Sequence, residues 1–309
     1  MTPIEGGGPA GMAAGTDRAA TAAGTLYVVA TPIGNLGDVT LRALDILRSV
    51  PLIAAEDTRH THRLLERHAV STRMTSYHAR SEPRRTAALL DHLRGGMDLA
   101  LVTDAGTPGV SDPGAELVAA WAAEGGTVVP VPGASAVLAA VVGSGLAGPR
   151  WSFEGFLPRS GRDRRERLAR IAADDRGTVV YEAPGRVAAT LEDLAAACGT
   201  DRPAAVCREL TKLHETIVRA TLGALAEMAW SGAIPPRGEF ALVVGAKPAR
   251  SFARSDVEVA EALEGARAEV DRLIADGASR SEAARRVAAA TGLPRRRLYA
   301  PSADARMAR

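Results

Sequence analysis

Thr25-Leu-Tyr-Val-Val-Ala-Thr-Pro-Ile-Gly-Asn-Leu-Gly-Asp38 is a short apolar, β-rich run that breaks into a Pro/Gly/Asn loop. A helical pattern follows, with Leu41, Leu44 and Leu47 at helical spacing. A strand that ends in a glycine loop before a helix is how α/β enzymes build ligand sites at strand carboxyl ends. Gly34 and Gly37 lack the G-x-G-x-x-G spacing of a dinucleotide fingerprint, and no Gly-Lys-Ser/Thr completes a Walker loop. The loop therefore points to a nucleotide-like ligand held in some other way.

Two further runs repeat the pattern. Leu99-Ala-Leu-Val-Thr-Asp-Ala-Gly-Thr-Pro-Gly-Val-Ser-Asp-Pro-Gly114 reads as strand, acid, Gly/Pro loop and then a helix expected to start near Ser111–Glu116. Thr127-Val-Val-Pro-Val-Pro-Gly-Ala-Ser-Ala136 is the third. Gly and Pro punctuate ordinary loops as well. Three strand-to-loop breaks in one domain, two carrying Asp and one carrying Ser, instead suit the lining of one crevice.

These runs, together with Ala55-Glu-Asp-Thr-Arg59, Ser76-Tyr-His78, Phe153-Glu-Gly-Phe-Leu-Pro158, Tyr181-Glu182, Glu209-Leu-Thr-Lys212 and Gly238-Glu239, carry a resemblance. The chain resembles the tetrapyrrole-methylase superfamily of S-adenosylmethionine-dependent (class III) methyltransferases. Within it, the chain is similar to bacterial enzymes that methylate a cytidine 2′-oxygen of 16S ribosomal RNA. The matching pieces follow the family order over roughly residues 24–246. The resemblance implies an α/β fold of two domains with cofactor and substrate in the cleft between them, and a small carboxy-terminal helical module. It also implies a cytoplasmic homodimer acting on 16S rRNA within the small ribosomal subunit. Asp104, Thr107, Ser135 and Ala136 are then expected to bind S-adenosylmethionine, with backbone amides of glycines such as Gly106 contributing. Pro32 and Ile33 wall the cleft, and Tyr181, Glu182, Glu239 and Phe240 close it from the second domain. Two departures from the family pattern stand out. Leu213-His214-Glu215 follows Thr-Lys, leaving Glu215 as the family acid. Ala79-Arg80-Ser81 lies where an amide-bearing substrate contact is expected, which puts roles for Arg80 and Glu82 in doubt.

Composition bounds the rest. A 309-residue chain exceeds the comfortable size of one core. Aromatic residues are 4%, too few for a surface built on many stacking rings. Cys198 and Cys207 fit no zinc spacing and read as small packing residues of a cytosolic protein, and no metal site is expected. No apolar stretch reaches the length of a membrane span. The net charge of +2 hides two basic blocks: Arg159–Arg170 holds six arginines against two acids, and residues 280–309 hold eight against Glu282 and Asp304. Such blocks suit a phosphate backbone, and Arg162, Arg164 and Arg165 are the RNA-binding candidates; a solvated helix face is the plain alternative.

Strand-like and helical runs alternate from residue 24 to 143, implying a mainly parallel sheet covered on both faces. Gly143–Pro149 reads as a linker. A mixed or antiparallel sheet is expected over residues 150–247, with strand-like runs at 178–181, 204–207, 216–220 and 240–244. Residues 256–309 read as a basic helix-turn-helix-like module, opened by an amphipathic helix and continued through a Ser279–Glu282 capping box. Residues 1–23 read as a disordered tail.

A ribose hydroxyl is a poor nucleophile, so a base or an alkoxide-stabilising group is sought. Asp57, Lys212 and Glu182 are the catalytic candidates; Arg59, His78 and Arg80 are the substrate-side candidates. An Asp beside an Arg is equally the mark of a structural ion pair. Two other readings stay open at this stage: a tetrapyrrole methylase on the same fold, and a non-catalytic RNA-binding protein.

Overall fold

The computed structural model describes residues 23–78, 83–247 and 256–300. Contacts divide the chain into a unit ending at Ala246 and a second from Lys247. Residues 1–22 of the expected tail, residues 301–309 of the expected basic module and Arg80 lie outside the described residues.

The first unit opens with β1 (Thr25–Val29), α1 (Leu41–Ser49), β2 (Leu52–Ala55), α2 (Thr58–Arg67), β3 (Met74–Ser76), α3 (Pro83–Arg94), β4 (Leu99–Val102), α4 (Ala115–Ala123) and β5 (Thr127–Val131). The strands form one sheet in the order β3-β2-β4-β1-β5, with every pairing parallel. Alternation along β4 explains the layering. Leu99 and Leu101 join Leu89, Leu93, Leu117 and Trp121 on the α3/α4 face. Ala100 and Val102 join Ala43, Leu47 and Leu65 on the α1/α2 face. Both faces are apolar because both are covered.

After α5 (Ala136–Ser144), the chain builds β6 (Trp151–Phe156), α6 (Gly161–Ala173), β7 (Gly177–Glu182), α7 (Val187–Cys198), β8 (Pro203–Arg208), β9 (Thr216–Thr221), α8 (Leu222–Trp230) and β10 (Phe240–Val244). This sheet runs β6-β7-β10-β8-β9 and is mixed: β6 and β7 are parallel, and the other pairs antiparallel. Helices α6, α7 and α8 cover one face through Leu168, Leu191 and Leu225. Val137 and Ala140 of α5 pack with Val179, Ala205 and Val243 on the other face. The helix that leaves the first sheet thus roofs the second.

Helix α4 starts at Ala115, at the late end of the expected window. Gly109, Ser111 and Gly114 all have positive φ, and helix cannot propagate through that conformation. Residues 104–114 consequently stay loop and remain available to a ligand.

In the second unit, α9 (Asp256–Ala275) and α10 (Arg280–Thr291) pack through Ala266, Val270, Ala283, Ala284 and Val287, with Leu298 completing the core. Ser279 Oγ accepts from Glu282 N, as the capping sequence requires. Among the described residues, no helix is long and apolar enough to cross a membrane, and no group of three or more His, Cys, Asp or Glu could hold a metal ion.

Candidate active site

The polar loops sit at the carboxyl ends of β1, β2, β4 and β5. The loops after β1 and β4 are tied together: Thr31 N donates to Gly106 O (2.8 Å) and Gly106 N to Thr31 O (3.0 Å). Gly106 takes φ +89°, which a side chain would strain. Ser135 caps α5 by accepting from Leu138 N. The second sheet brings Tyr181 and Glu182 from β7 and Phe240 from β10. Phe153 and Phe156 hold the Tyr181 ring, with centroids 4.9 and 5.6 Å away.

Between these groups lies a cavity of about 440 Å³. Ile33, Asp104, Gly106, Thr107, Ser135, Ala136, Tyr181, Glu239 and Phe240 line it, as does Glu182. Pro32 does not; it borders a second cavity of about 300 Å³ with Gly34, His60, Thr61, Arg63, Leu64 and Lys212. Ile33, Asp104, Ala105 and Glu239 border both.

Three of the five acids that line the main cavity act on one another. Glu56 accepts from Thr103 Oγ1 (2.6 Å) and the Asp104 amide (3.3 Å), and Asp104 accepts from the Asp57 amide (3.0 Å). Burial raises the Asp104 pKa. Asp112 is pushed up to about 7, by burial first and then by Glu56 and Asp104, with only the Thr103 hydroxyl opposing. Thr103 gives its single proton to Glu56, so that opposition is weak. Glu56 and Asp112 were not among the expected site residues. The available signal was an Asp-Pro-Gly at the end of a glycine loop, indistinguishable in sequence from a plain turn.

Lys212 pairs with Glu209 (2.9 Å) and Glu239 (3.1 Å). Burial opposes its charge, but the two carboxylates outweigh burial and hold the pKa above the ordinary lysine value. It is an ammonium, suited to an anion and not to accepting a proton. Glu209 also accepts from the Glu239 amide, and a Cβ at Gly238 would come within 2.7 Å of its carboxyl group, so only glycine fits.

Several expected residues stand elsewhere. Asp57 borders neither cavity. It caps α2 and pairs with Arg59 (2.7 Å), which lowers its pKa to about 2. A carboxylate held that low is a weak base, and Arg59 is its ion-pair partner. Glu182 is buried, with its carboxylate occupied by Thr190 Oγ1 (2.6 Å), the Ala183 amide (2.8 Å) and Arg186 (3.3 Å). Three donors hold it in the cavity wall, where it acts as a brace. His78 is exposed and borders neither cavity. Arg164 corrects the RNA-binding set: it is buried, bonded to Asp193 (2.7 Å), Thr190 (3.0 Å) and Pro158 O (2.9 Å). Arg162 and Arg165 are exposed, Arg162 beside Glu166. Burial pushes the Cys207 thiol up to about 11, so it is no nucleophile.

The cavity suits the methyl donor that the sequence implies. It has the volume of a small-molecule site, apolar walls from Ile33, Phe240 and Ala136, and acids that favour a cation. The comparisons agree with this architecture. The family model of Tetrapyrrole (Corrin/Porphyrin) Methylases matches residues 25–226. A relative from Synechocystis sp., named ribosomal RNA small subunit methyltransferase I, is 48% identical over 277 residues, 89% of this chain and 96% of its own. Among solved structures, cobalt precorrin-4 methyltransferase aligns with TM-score 0.55 at 20% identity, over 72% of this chain and 94% of that one. Uroporphyrin-III C-methyl transferase from Thermus thermophilus, complexed with S-adenyl homocysteine, aligns with TM-score 0.52 at 21% identity, over 72% and 97%. At those identities the solved structures speak for the fold alone, whereas the full-length relationship decides the lineage: the chain belongs to the tetrapyrrole methylase family, in the group of the small-subunit ribosomal RNA methyltransferase I proteins.

Proposed function

We propose that this chain transfers the methyl group of S-adenosylmethionine to the 2′-oxygen of a cytidine in 16S ribosomal RNA of the small ribosomal subunit. The observation that carries the reading is the cavity at the carboxyl ends of the parallel sheet, in a chain 48% identical to a protein named for ribosomal RNA methylation. Bound there, the cofactor supplies an electrophilic methyl on a sulfonium. The residues do the rest. The Gly106–Thr107 and Ser135–Ala136 loops present backbone groups to the adenosyl and amino-acid ends. Asp104 and Asp112 favour the positive sulfonium. Ile33, Tyr181 and Phe240 exclude water and fix the approach. Lys212 stabilises negative charge developing on the acceptor oxygen, or holds a neighbouring phosphate.

Exposed Arg162 and Arg165 on α6, and Arg285, Arg286, Arg296 and Arg297 in the second unit, supply the charge that an RNA backbone attracts. Exposed Leu138 and Val142, one turn apart on α5, offer an apolar stripe for a homodimer. A ribosomal substrate places the reaction in the cytoplasm.

The test is mass spectrometry of 16S rRNA nucleosides after incubating small subunits with the protein and methyl-labelled cofactor. The expected product is 2′-O-methylcytidine, and an RNA with 2′-deoxyribose at the target should accept no methyl. Label on the base ring, or label transferred only to a tetrapyrrole, would overturn the reading.

A further inference from the structure

We propose that the second cavity, bordered by Pro32, Gly34, Thr61, Arg63, Leu64 and Lys212, is the seat of the acceptor nucleotide, a pyrimidine ribonucleotide of the RNA with its sugar toward Asp104. This assignment rests on the ribose-methylation reading and adds where the acceptor lies and which side chains meet it.

The first argument is adjacency. Methyl transfer needs the acceptor oxygen in line with the breaking carbon–sulfur bond and in contact with the methyl carbon. Asp104, Ala105, Ile33 and Glu239 border both cavities, so groups seated in the two meet there. The step balances. The 2′-oxygen forms a bond to the methyl carbon, and the carbon–sulfur bond breaks with its electron pair going to sulfur. The hydroxyl proton passes to a carboxylate at the junction, where Asp104 stands, and then to water.

The second argument is an orphan. Thr61 is 3% exposed, and its Oγ1 has no hydrogen-bond partner among the described residues. A threonine inside a helix ordinarily bonds back to the carbonyl four residues earlier. That carbonyl is on Asp57, where it takes the Thr61 amide, and the hydroxyl does not join it. A buried hydroxyl without a partner costs stability, and Thr61 borders the cavity, so a turn about its Cα–Cβ bond brings the hydroxyl to a ligand seated there that completes it. A nucleotide carries acceptors and donors on its base edge and sugar that do so.

The third argument is charge. Arg63 is exposed and makes no hydrogen bond or ion pair among the described residues. Lys212 lies on the same cavity and is held protonated. His60 adds a third nitrogen donor. Pro32, Leu36 and Leu64 give the apolar surface against which a base face can lie. Apolar walls, cations on the rim and an unpaired threonine hydroxyl at the border suit one nucleotide and its phosphate, and do not suit a neutral apolar ligand.

The experiment compares Thr61→Val, Thr61→Ser and Arg63→Ala with wild type, using small subunits as methyl acceptor and calorimetry for cofactor affinity. Thr61→Val swaps an unsatisfied hydroxyl for a methyl of the same shape, so it should melt no lower than wild type. Its kcat/KM for the subunit should nonetheless fall at least fivefold. Thr61→Ser keeps the hydroxyl and should stay within twofold of wild type. Arg63→Ala should raise KM for the subunit at least fivefold with kcat little changed. Cofactor affinity should stay within twofold throughout. If Thr61→Val and Arg63→Ala methylate as wild type does, or if they lose cofactor affinity instead, the cavity is not the acceptor seat. A wild type that puts no methyl on ribose fails the functional reading itself, an outcome visible before any variant is made.

Discussion

The loop after β2 and the loop after β4 look alike in sequence and behave oppositely. Each follows an apolar strand, begins with acids and leads to a helix. After β2 the helix starts at once, and its amino terminus takes the acid: Asp57 accepts from the Arg59 amide (2.9 Å), pairs with the Arg59 guanidinium and falls to a pKa of about 2. After β4 the chain runs from Asp104 to Gly114 before α4 begins, bent by positive φ at Gly106, Gly109, Ser111 and Gly114. No helix terminus takes Asp104 or Asp112, and both face the cavity, where burial lifts their pKa values. The separation between a strand-end acid and the next helix decides whether the acid caps or waits for a ligand.

The sharpest way to break this contrast is Asp104→Ala. Cofactor affinity measured by calorimetry should fall at least tenfold, about 1.4 kcal/mol, while the fold survives. The variant also deprives the Asp57 amide of its acceptor, so the melting temperature should be recorded alongside. An unchanged affinity would place Asp104 with the bracing acids such as Glu182.

Asp112 gives a pH-dependent test of the same loop. Its native pKa of about 7 exceeds the unfolded value of about 4. Between those values the folded chain binds more protons than the unfolded chain, so Asp112 makes stability fall as pH rises from about 4 to about 7. A cationic sulfonium prefers the carboxylate, and cofactor binding below pH 7 should release a proton. Affinity should therefore increase severalfold between pH 6 and pH 8, by less than about tenfold per pH unit, and then level off. The neutral thioether S-adenosylhomocysteine should show a weaker trend, and Asp112→Asn should show neither. A variant with the wild-type pH profile would assign the proton to another group.

Much of this arrangement was legible in the chain. Leu99/Leu101 against Ala100/Val102 gives a strand covered on both faces, and the three Gly/Pro loops point to one crevice. Two strands escaped notice for physical reasons. Met74–Ser76 is a three-residue edge strand of mixed polarity, and Trp151–Phe156 is interrupted by Glu154 and by Gly155 at φ +62°. Environments were less legible than elements. The charge on Arg164 reads as RNA-binding until Asp193 and Thr190 of α7 arrive from another part of the chain to bury it. Thr61 reads as an ordinary helix residue until the fold buries its hydroxyl without a partner. The six arginines of 159–170 therefore divide. Replacing Arg162 and Arg165 by Ala should reduce the salt slope of RNA binding by up to about 2, the value for two lost phosphate contacts, with cofactor affinity unchanged. Arg164→Ala should instead lower the melting temperature, because it leaves Asp193 and Thr190 without their donor. The opposite pattern would return Arg164 to the RNA surface.

The smallest effect belongs to Asp57, and it separates capping from catalysis. Asn also accepts hydrogen bonds at a helix start, so Asp57→Asn keeps the cap and loses only an exposed ion pair. Methylation should stay within twofold of wild type. Asp57→Ala loses the cap as well and should lower the melting temperature by about 2 °C, again without a matching loss of cofactor affinity. The pH dependence has its own sign. A carboxylate depressed to about 2 contributes stability above its unfolded pKa of about 4 and gives it up as pH falls toward 2. The gap between wild type and Asp57→Asn should thus close in acid, in the pH range where Asp112 is already protonated and silent. A large loss of turnover in Asp57→Asn at neutral pH, with the melting curve unmoved, would mean that this acid reaches the substrate after all, and the distinction between the two loops would collapse.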